Sequence, residues 1–496
     1  MELLSPAGTY EKLVTAFDYG ADAVYMGLKN FSMRANAGNF SDRQWEGLSA
    51  LKRREGKPDR RLYCAVNVLF HEDDIVHLKE QLPLIAQWPF DAFIVTDMGA
   101  ATVLKEAFPD KELHLSTQAS CINATAAKVY HDLGFSRIVL GRETPLDDIR
   151  RIKDAIPELE LEAFVHGAMC MAYSGRCLLS SHLTGRSGNQ GDCAHTCRWN
   201  YRLMGSERLD KLLDESILGS ESLALEEAER PGTYYPISEQ DGFTTILSSK
   251  DLCMIDHLAE LRDAGVDSLK IEGRMKSLYY VAIVTRAYRK ALDALEGLPG
   301  SDQWKEFRDE LFNISHREYS TGFFFGHGPV DPEMDDADAA TPCSGITAAA
   351  GASPTASANE AVQSTDIPSA PGASAPTSAM SAKSASDIAP EARIGGEIDF
   401  AATPGYIRDY LFLGIVGEEA RPGTFALDIR NQIRTGQRLE YIGPDVSCVA
   451  DETYIPLNEY LEPVGQIDHG KTCYLSTDKP VKKGYLIRRV NEQINN

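Results

Sequence analysis

The stretch "GADAVYMG", residues 20–27, is a short apolar run entered through Gly and Asp and left through Gly. Phrases of the same build recur as "PFDAFIVTD" at 89–97, "GFSRIVLGRE" at 134–143 and "GVDSLKIEG" at 265–273. Short continuous apolar runs bounded by turn formers read as buried strands. Segments with helical periodicity lie beside them, as in "TYEKLVTAFDY", "ATAAKVYHDL" and "MIDHLAELRDA". Strand and helix in alternation imply a parallel sheet. Strand candidates fall at 2–4, 22–26, 62–68, 91–96, 112–117, 137–141, 160–166 and 267–271, with a final helix near 277–296. Eight strands with their helices predict a closed, TIM-like β/α barrel rather than an open doubly wound sheet, so chemistry is expected in the loops after the strands.

At 496 residues the chain exceeds what one hydrophobic core organises. Residues 1–330 read as the barrel domain, with an insertion over about 168–250 between the seventh and eighth strands. Part of that insertion, Glu207 to Arg230, is acidic and reads as helical. Residues 331–399 carry 11 Asp and Glu against 2 Lys and Arg in an Ala/Ser/Pro background. Such composition buries too little apolar surface to offset its ordering entropy and predicts a disordered linker. Residues 400–496 show short β-type runs broken by Gly and Pro and predict a small all-β barrel or sandwich. No apolar run approaches the length of a membrane-spanning helix, and the N-terminus lacks a secretory pattern, so a cytoplasmic protein is expected.

In a reducing compartment, clustered cysteines point to metal or catalysis rather than disulfides. Four of the ten cysteines, Cys170, Cys177, Cys193 and Cys197, lie within 28 positions directly after the seventh strand. Only the last pair has the close spacing of a zinc knuckle. Four thiolates among Gly175, Gly185, Gly188 and Gly191 suit an iron-sulfur cluster, while structural zinc and inert thiols stay open. Cys253 could replace one ligand, but it reads as part of a helical pattern. No "GxSxG" or "HExxH" motif supports a hydrolase, although a Cys170–His166 pair stays open.

"EAFVHGAMCMAYSGRCLLS", with "MELLSPAG", "GADAVYMG", "SSKDLC" and "KIEGRMKS", resembles the conserved blocks of peptidase family U-32, the collagenase-like proteins. The resemblance covers about residues 1–330, and the C-terminal module matches the family's β-barrel appendage. The arrangement is most similar to members that hydroxylate the tRNA wobble uridine to 5-hydroxyuridine and to a paralogue acting on ribosomal RNA. That resemblance implies a 4Fe-4S cluster held by Cys170, Cys177, Cys193 and Cys197, with prephenate as hydroxyl-donor cosubstrate and tRNA as partner. The 331–399 segment departs from the family pattern.

Uridine hydroxylation needs cations for phosphates or a carboxylated donor and flat surfaces for a base. His166, Glu272 and Arg274 are the candidate catalytic residues. His166 ends the seventh strand as an acid or base, and Arg274 offers a planar fork for a carboxylate or phosphate. Asn67, Gln118, Arg198, Trp199 and Lys276 are the candidate substrate-binding residues. A net charge of −23 opposes general phosphate binding. The C-terminal module nevertheless carries Arg430, Arg434, Arg438, Lys479, Lys482, Lys483, Arg488 and Arg489, a basic stripe for the tRNA body if these share a face.

Overall fold

A computed structural model of the chain describes residues 1–27, 47–53, 59–170, 172–184, 186, 193–194, 196, 223–226, 234–240, 243–245, 250–326 and 410–491. The segment 331–399, expected to be a linker, and much of the insertion lie outside these residues.

The eight expected barrel strands are all present. They are β1 (Glu2–Pro6), β2 (Ala23–Gly27), β3 (Arg61–Val66), β4 (Ala92–Val95), β5 (Glu112–Leu115), β6 (Arg137–Val139), β7 (Glu160–Ala168) and, after the insertion, Ser268–Ile271. Within the insertion, β8 (Leu223–Glu226), β9 (Tyr234–Gln240) and β10 (Phe243–Thr245) form an antiparallel sheet, and β11 (Asp251–Cys253) follows. The helix expected across Glu207–Arg230 is therefore a strand over Leu223–Glu226. With Ser268–Ile271 as β12, parallel pairing runs β1 through β7 in order. β12 closes the ring by pairing in parallel with both β1 and β7.

Strands covered by helices on one side and by the barrel interior on the other are buried on both faces, which is why they read as continuous apolar runs. Turn chemistry starts the helices. Thr9, Asp97, Asn123 and Ser277 each accept a backbone N–H at a helix N-terminus.

One layer of the interior is charged. Arg137 of β6 reaches Glu2 of β1 at 2.6 Å and Glu162 of β7 at 3.1 Å, and Lys270 of β12 meets Glu162 at 2.6 Å. Tyr63 and Ser268 hydroxyls also donate to Glu2, at 2.6 and 2.8 Å. Burial would raise the Glu162 carboxyl, but Lys270 and Arg137 outweigh it and hold it below the usual carboxylate range. Removing one member would strand a buried charge, at about 3–5 kcal/mol.

Residues 410–491 are all-β, as expected. Seven strands form an antiparallel half-barrel sheet whose edge strands do not pair with each other among the described residues. Residues 410–491 belong to one compact unit with the described residues of the barrel domain. The joint is buried: Phe412, Ile442 and Leu486 join the barrel's apolar core, and polar contacts surround them. Arg488 donates to Tyr279 at 2.8 Å, to Glu440 at 2.9 Å and to both oxygens of Glu310. Arg286 donates to the carbonyls of Gly443 and Val446 at 2.8 and 2.7 Å, and Arg430 meets Glu11 at 2.7 Å. The C-terminal cations are thus largely engaged. Arg430 and Arg488 fasten the module to the barrel, and Lys479, Lys482 and Lys483 pair with Asp478, Asp445 and Glu418.

Candidate active site at the barrel mouth

The loop that leaves β7 lies across the strand ends of β5 and β6. Ser174 is its anchor: its backbone N–H donates to Glu143 at 2.9 Å, its hydroxyl accepts from the Arg142 backbone at 3.3 Å, and its carbonyl accepts from Ser120. Arg142 also donates to the carbonyl of Ala168, the last residue of β7. Gly175, with φ +73°, sits so close to the turn after β5 that a Cβ there would stand 2.0 Å from the Gln118 carbonyl oxygen. Only glycine fits both the conformation and the space.

This anchor lies between Cys170 and Cys177. Cys170 is exposed, and Cys177 and Cys193 are half-buried; none of the three is in a disulfide. Cys193 is tied to the same loop, because the neighbouring Ala194 N–H donates to Ser180, three residues past Cys177, at 2.9 Å. Cys197, Arg198 and Trp199 lie outside the described residues. Among the described residues no three His, Cys, Asp or Glu side chains stand together closely enough to hold a metal ion. The fit to an iron-sulfur cluster is therefore one of donor chemistry: thiols outside any disulfide, carried on one anchored loop at the expected face.

Below the loop is a layer of cations over aromatic rings. Lys270 Nζ lies 4.5 Å from the Tyr25 ring centre and 5.5 Å from that of Phe164. Arg274, buried, sits over Tyr25 at 5.9 Å, and Arg142 over Phe164 at 4.1 Å. Ring faces attract cations and hold them in place. Burial lowers the Lys270 ammonium from its ordinary value, against the pull of Glu162. This layer can receive carboxylates or phosphates. Asn67 and Gln118 share Ser116, whose Oγ accepts from Asn67 Nδ2 at 3.4 Å and from the Gln118 backbone at 3.3 Å. Lys276 lies over the Tyr280 ring at 5.2 Å. Glu272 donates its backbone N–H to the His166 carbonyl at 2.9 Å.

His166 does not line this mouth. Strand alternation from Glu162 and Phe164 would point it inward. A register shift in the β7–β12 ladder, where Lys270 faces Phe164 but Ile271 faces His166, reverses that parity. The imidazole instead packs against Tyr280, Tyr288 and Tyr319, with ring centres 6.0, 5.6 and 5.3 Å away. Burial there pushes its pKa down to about 3. Cys253 also departs from expectation. It lies on β11, antiparallel to the end of β7 and opposite His166, not on a helix. The helical reading that set it aside as a ligand falls with that finding. Burial raises its thiol to about 11.

Sequence reasoning missed Tyr25, Phe164, Arg142, Glu143, Ser120 and Ser174. "GRE" at 141–143 was the available signal, because charged residues just past a barrel strand fall on the functional face.

A closed β/α barrel with a cysteine-bearing loop pinned over its mouth and a fused β half-barrel defines the class of protein. The chain belongs to peptidase family U32: the family model matches residues 8–333, and that of the peptidase family U32 C-terminal domain matches residues 408–488. Among its relatives is tRNA hydroxylation protein P of Escherichia coli, 38% identical over 345 residues, which span 66% of this chain and 75% of that protein. The 23S rRNA 5-hydroxycytidine C2501 synthase of Escherichia coli is 37% identical over 60% of this chain and 40% of that protein. A collagenase of Porphyromonas gingivalis is 30% identical over 66% of this chain and 73% of that protein.

Proposed function

We propose that the chain is an iron-sulfur RNA hydroxylase that converts the tRNA wobble uridine to 5-hydroxyuridine, with prephenate as hydroxyl donor, in the cytoplasm. The observation that carries this reading is the 38% identity to tRNA hydroxylation protein P across three-quarters of that protein's length. The ribosomal RNA enzyme is matched over only 40% of its length, which favours tRNA as the acceptor.

In this reading Cys170, Cys177, Cys193 and Cys197 hold a 4Fe-4S cluster. When bound, the cluster supplies a redox or Lewis-acid centre at the mouth. The chain's own residues bind and orient. Prephenate is a dicarboxylate, and Arg142 and Arg274 offer it cations already held over Phe164 and Tyr25, so little ordering is required on binding, while Lys270 is committed to Glu162. Asn67 and Gln118 supply amides beside that layer, and Lys276 and Glu272 border it. His166, neutral and enclosed by tyrosines, supports the end of β7 and exchanges no proton with substrate. The same placement weakens a peptidase reading based on a Cys170–His166 pair, which needs an imidazole poised near neutral pH.

The test is incubation of anaerobically purified, iron-loaded protein with unmodified tRNA and prephenate, followed by mass spectrometry of the nucleosides. 5-Hydroxyuridine that requires both iron and prephenate supports the assignment. Cleavage of gelatin by iron-free protein, without any change in the nucleosides, refutes it.

A further inference from the structure

Among the described residues, Tyr173, Leu178, Leu179 and Leu183 are large apolar side chains left 57, 72, 38 and 47% exposed within one short stretch of the cysteine loop. Looseness does not account for this. Ser174 and Gly175 pin the backbone to the barrel, and Ser180 ties the helix Leu179–Thr184 to the carbonyl of Arg186 at 2.8 Å. Large apolar side chains exposed so close together on a fixed backbone mark an interaction site.

Charge identifies the partner. From Ala163 to Gly191 there is no Asp or Glu, in a chain that carries 73 of them. Within that stretch Arg176 and Arg186 are both exposed. Arg176 and Tyr173 share one turn, with the Arg176 N–H donating to the Tyr173 carbonyl at 2.9 Å. An exposed aromatic beside a guanidinium, in an acid-free segment of an acidic protein, matches an unpaired nucleotide: a flat base to stack on and a phosphate to neutralise.

Resting on the RNA-hydroxylase reading above, we infer that the cysteine loop is itself the RNA-docking surface. Tyr173 stacks on an unpaired base, Arg176 neutralises a neighbouring phosphate, and Leu178, Leu179 and Leu183 cover the adjoining nucleotides. The target loop is thereby held beside the barrel mouth.

The test uses full-length, iron-loaded protein and two labelled RNAs, a stem-loop and a fully paired duplex of similar composition, with binding read by fluorescence anisotropy. Tyr173→Ala weakens stem-loop binding by roughly 5- to 100-fold and leaves duplex binding unchanged, as loss of one stacked base requires. Tyr173→Trp keeps the affinity. Arg176→Gln weakens both and reduces the salt slope by about one. Iron content and melting temperature stay at wild-type values, because the altered side chains are exposed. Wild-type stem-loop affinity in Tyr173→Ala overturns the inference. So does a dimer that Leu178→Ser disperses without changing RNA binding, since the patch would then be a self-association face. If the wild-type protein binds no RNA, the hydroxylase reading itself fails. If it binds and hydroxylates RNA and Tyr173→Ala does so equally, only the docking surface falls.

Discussion

Gly175→Ala isolates the positioning of the cysteine loop from the stability of the barrel. The residue has φ +73°, and an added Cβ would lie 2.0, 2.8 and 3.0 Å from the O, C and Cα of Gln118, all backbone atoms with no rotamer to escape into. Ordinary contact begins at 3.4 Å. The loop carrying Cys170 and Cys177 must therefore lift by more than about 1 Å, a displacement that typically costs on the order of 10²-fold in rate. Gly134→Ala is the control. Its φ of +94° imposes the same left-handed backbone penalty, but nothing lies within 4 Å of its Cβ. That penalty is about 1–2 kcal/mol, so Gly134→Ala loses about that much in thermal unfolding, Gly175→Ala loses more through the added backbone contact, and only Gly175→Ala loses 5-hydroxyuridine formation on tRNA. Equal turnover by the two folded variants would refute the reasoning.

The remaining predictions concern the joint, the histidines and the thiols. Arg488→Met leaves Glu310 and Glu440 buried without their cation and lowers stability by about 3–5 kcal/mol in urea melts, whereas Arg438→Met removes an exposed arginine that stands 4.0 Å from Glu440, whose carboxylate Arg488 still holds at 2.9 Å, and changes stability by less than about 1 kcal/mol. His166 is held neutral, with its pKa pushed from 6.5 down to about 3. The unfolded chain therefore takes up that proton first, and stability is full above about pH 6.5 and falls by roughly 1.4 kcal/mol per pH unit below it, towards the folded value. His166→Gln removes one proton's worth of that slope in melts recorded between neutral and mildly acidic pH, and an unchanged slope would contradict the buried-neutral assignment. Cys170→Ser, Cys177→Ser and Cys193→Ser each abolish iron and sulfide retention without preventing folding, read by metal analysis and circular dichroism. Iron content unaffected by all three would remove the cluster from this loop.

The barrel was legible because its strands are buried on both faces and punctuated by Gly and Asp, so all eight appear as separate apolar runs. What failed depended on contacts between distant residues. The parity of His166 is set by a bulge opposite Lys270 and Ile271, about a hundred positions away in the chain, and alternation within β7 cannot reveal it. Cys253 belongs to a strand because the end of β7 extends past the barrel to pair with it; alone, "DLCMIDHL" looks helical. The charged layer was half visible, as single charges in "SRIVL", "LEAF" and "SLKI", but their partners lie on other strands far away in the chain. Arg430 and Arg488 read as members of a docking stripe or as solvated charges, since nothing local shows that Glu11, Tyr279 and Glu310 neutralise or accept from them. Cysteine clustering pointed to the loop after the seventh strand, and Cys170 and Cys177 do lie on the loop that leaves β7, because barrel geometry fixes where such a loop must emerge.

The most direct measurement is the nucleoside content of bulk tRNA from a strain lacking this protein, complemented with either the wild-type chain or Cys177→Ser. The account predicts that 5-hydroxyuridine derivatives disappear in the deletion, return with the wild-type chain and stay absent with Cys177→Ser expressed at the same level. Unaltered wobble nucleosides in the deletion, or full restoration by Cys177→Ser, would contradict it.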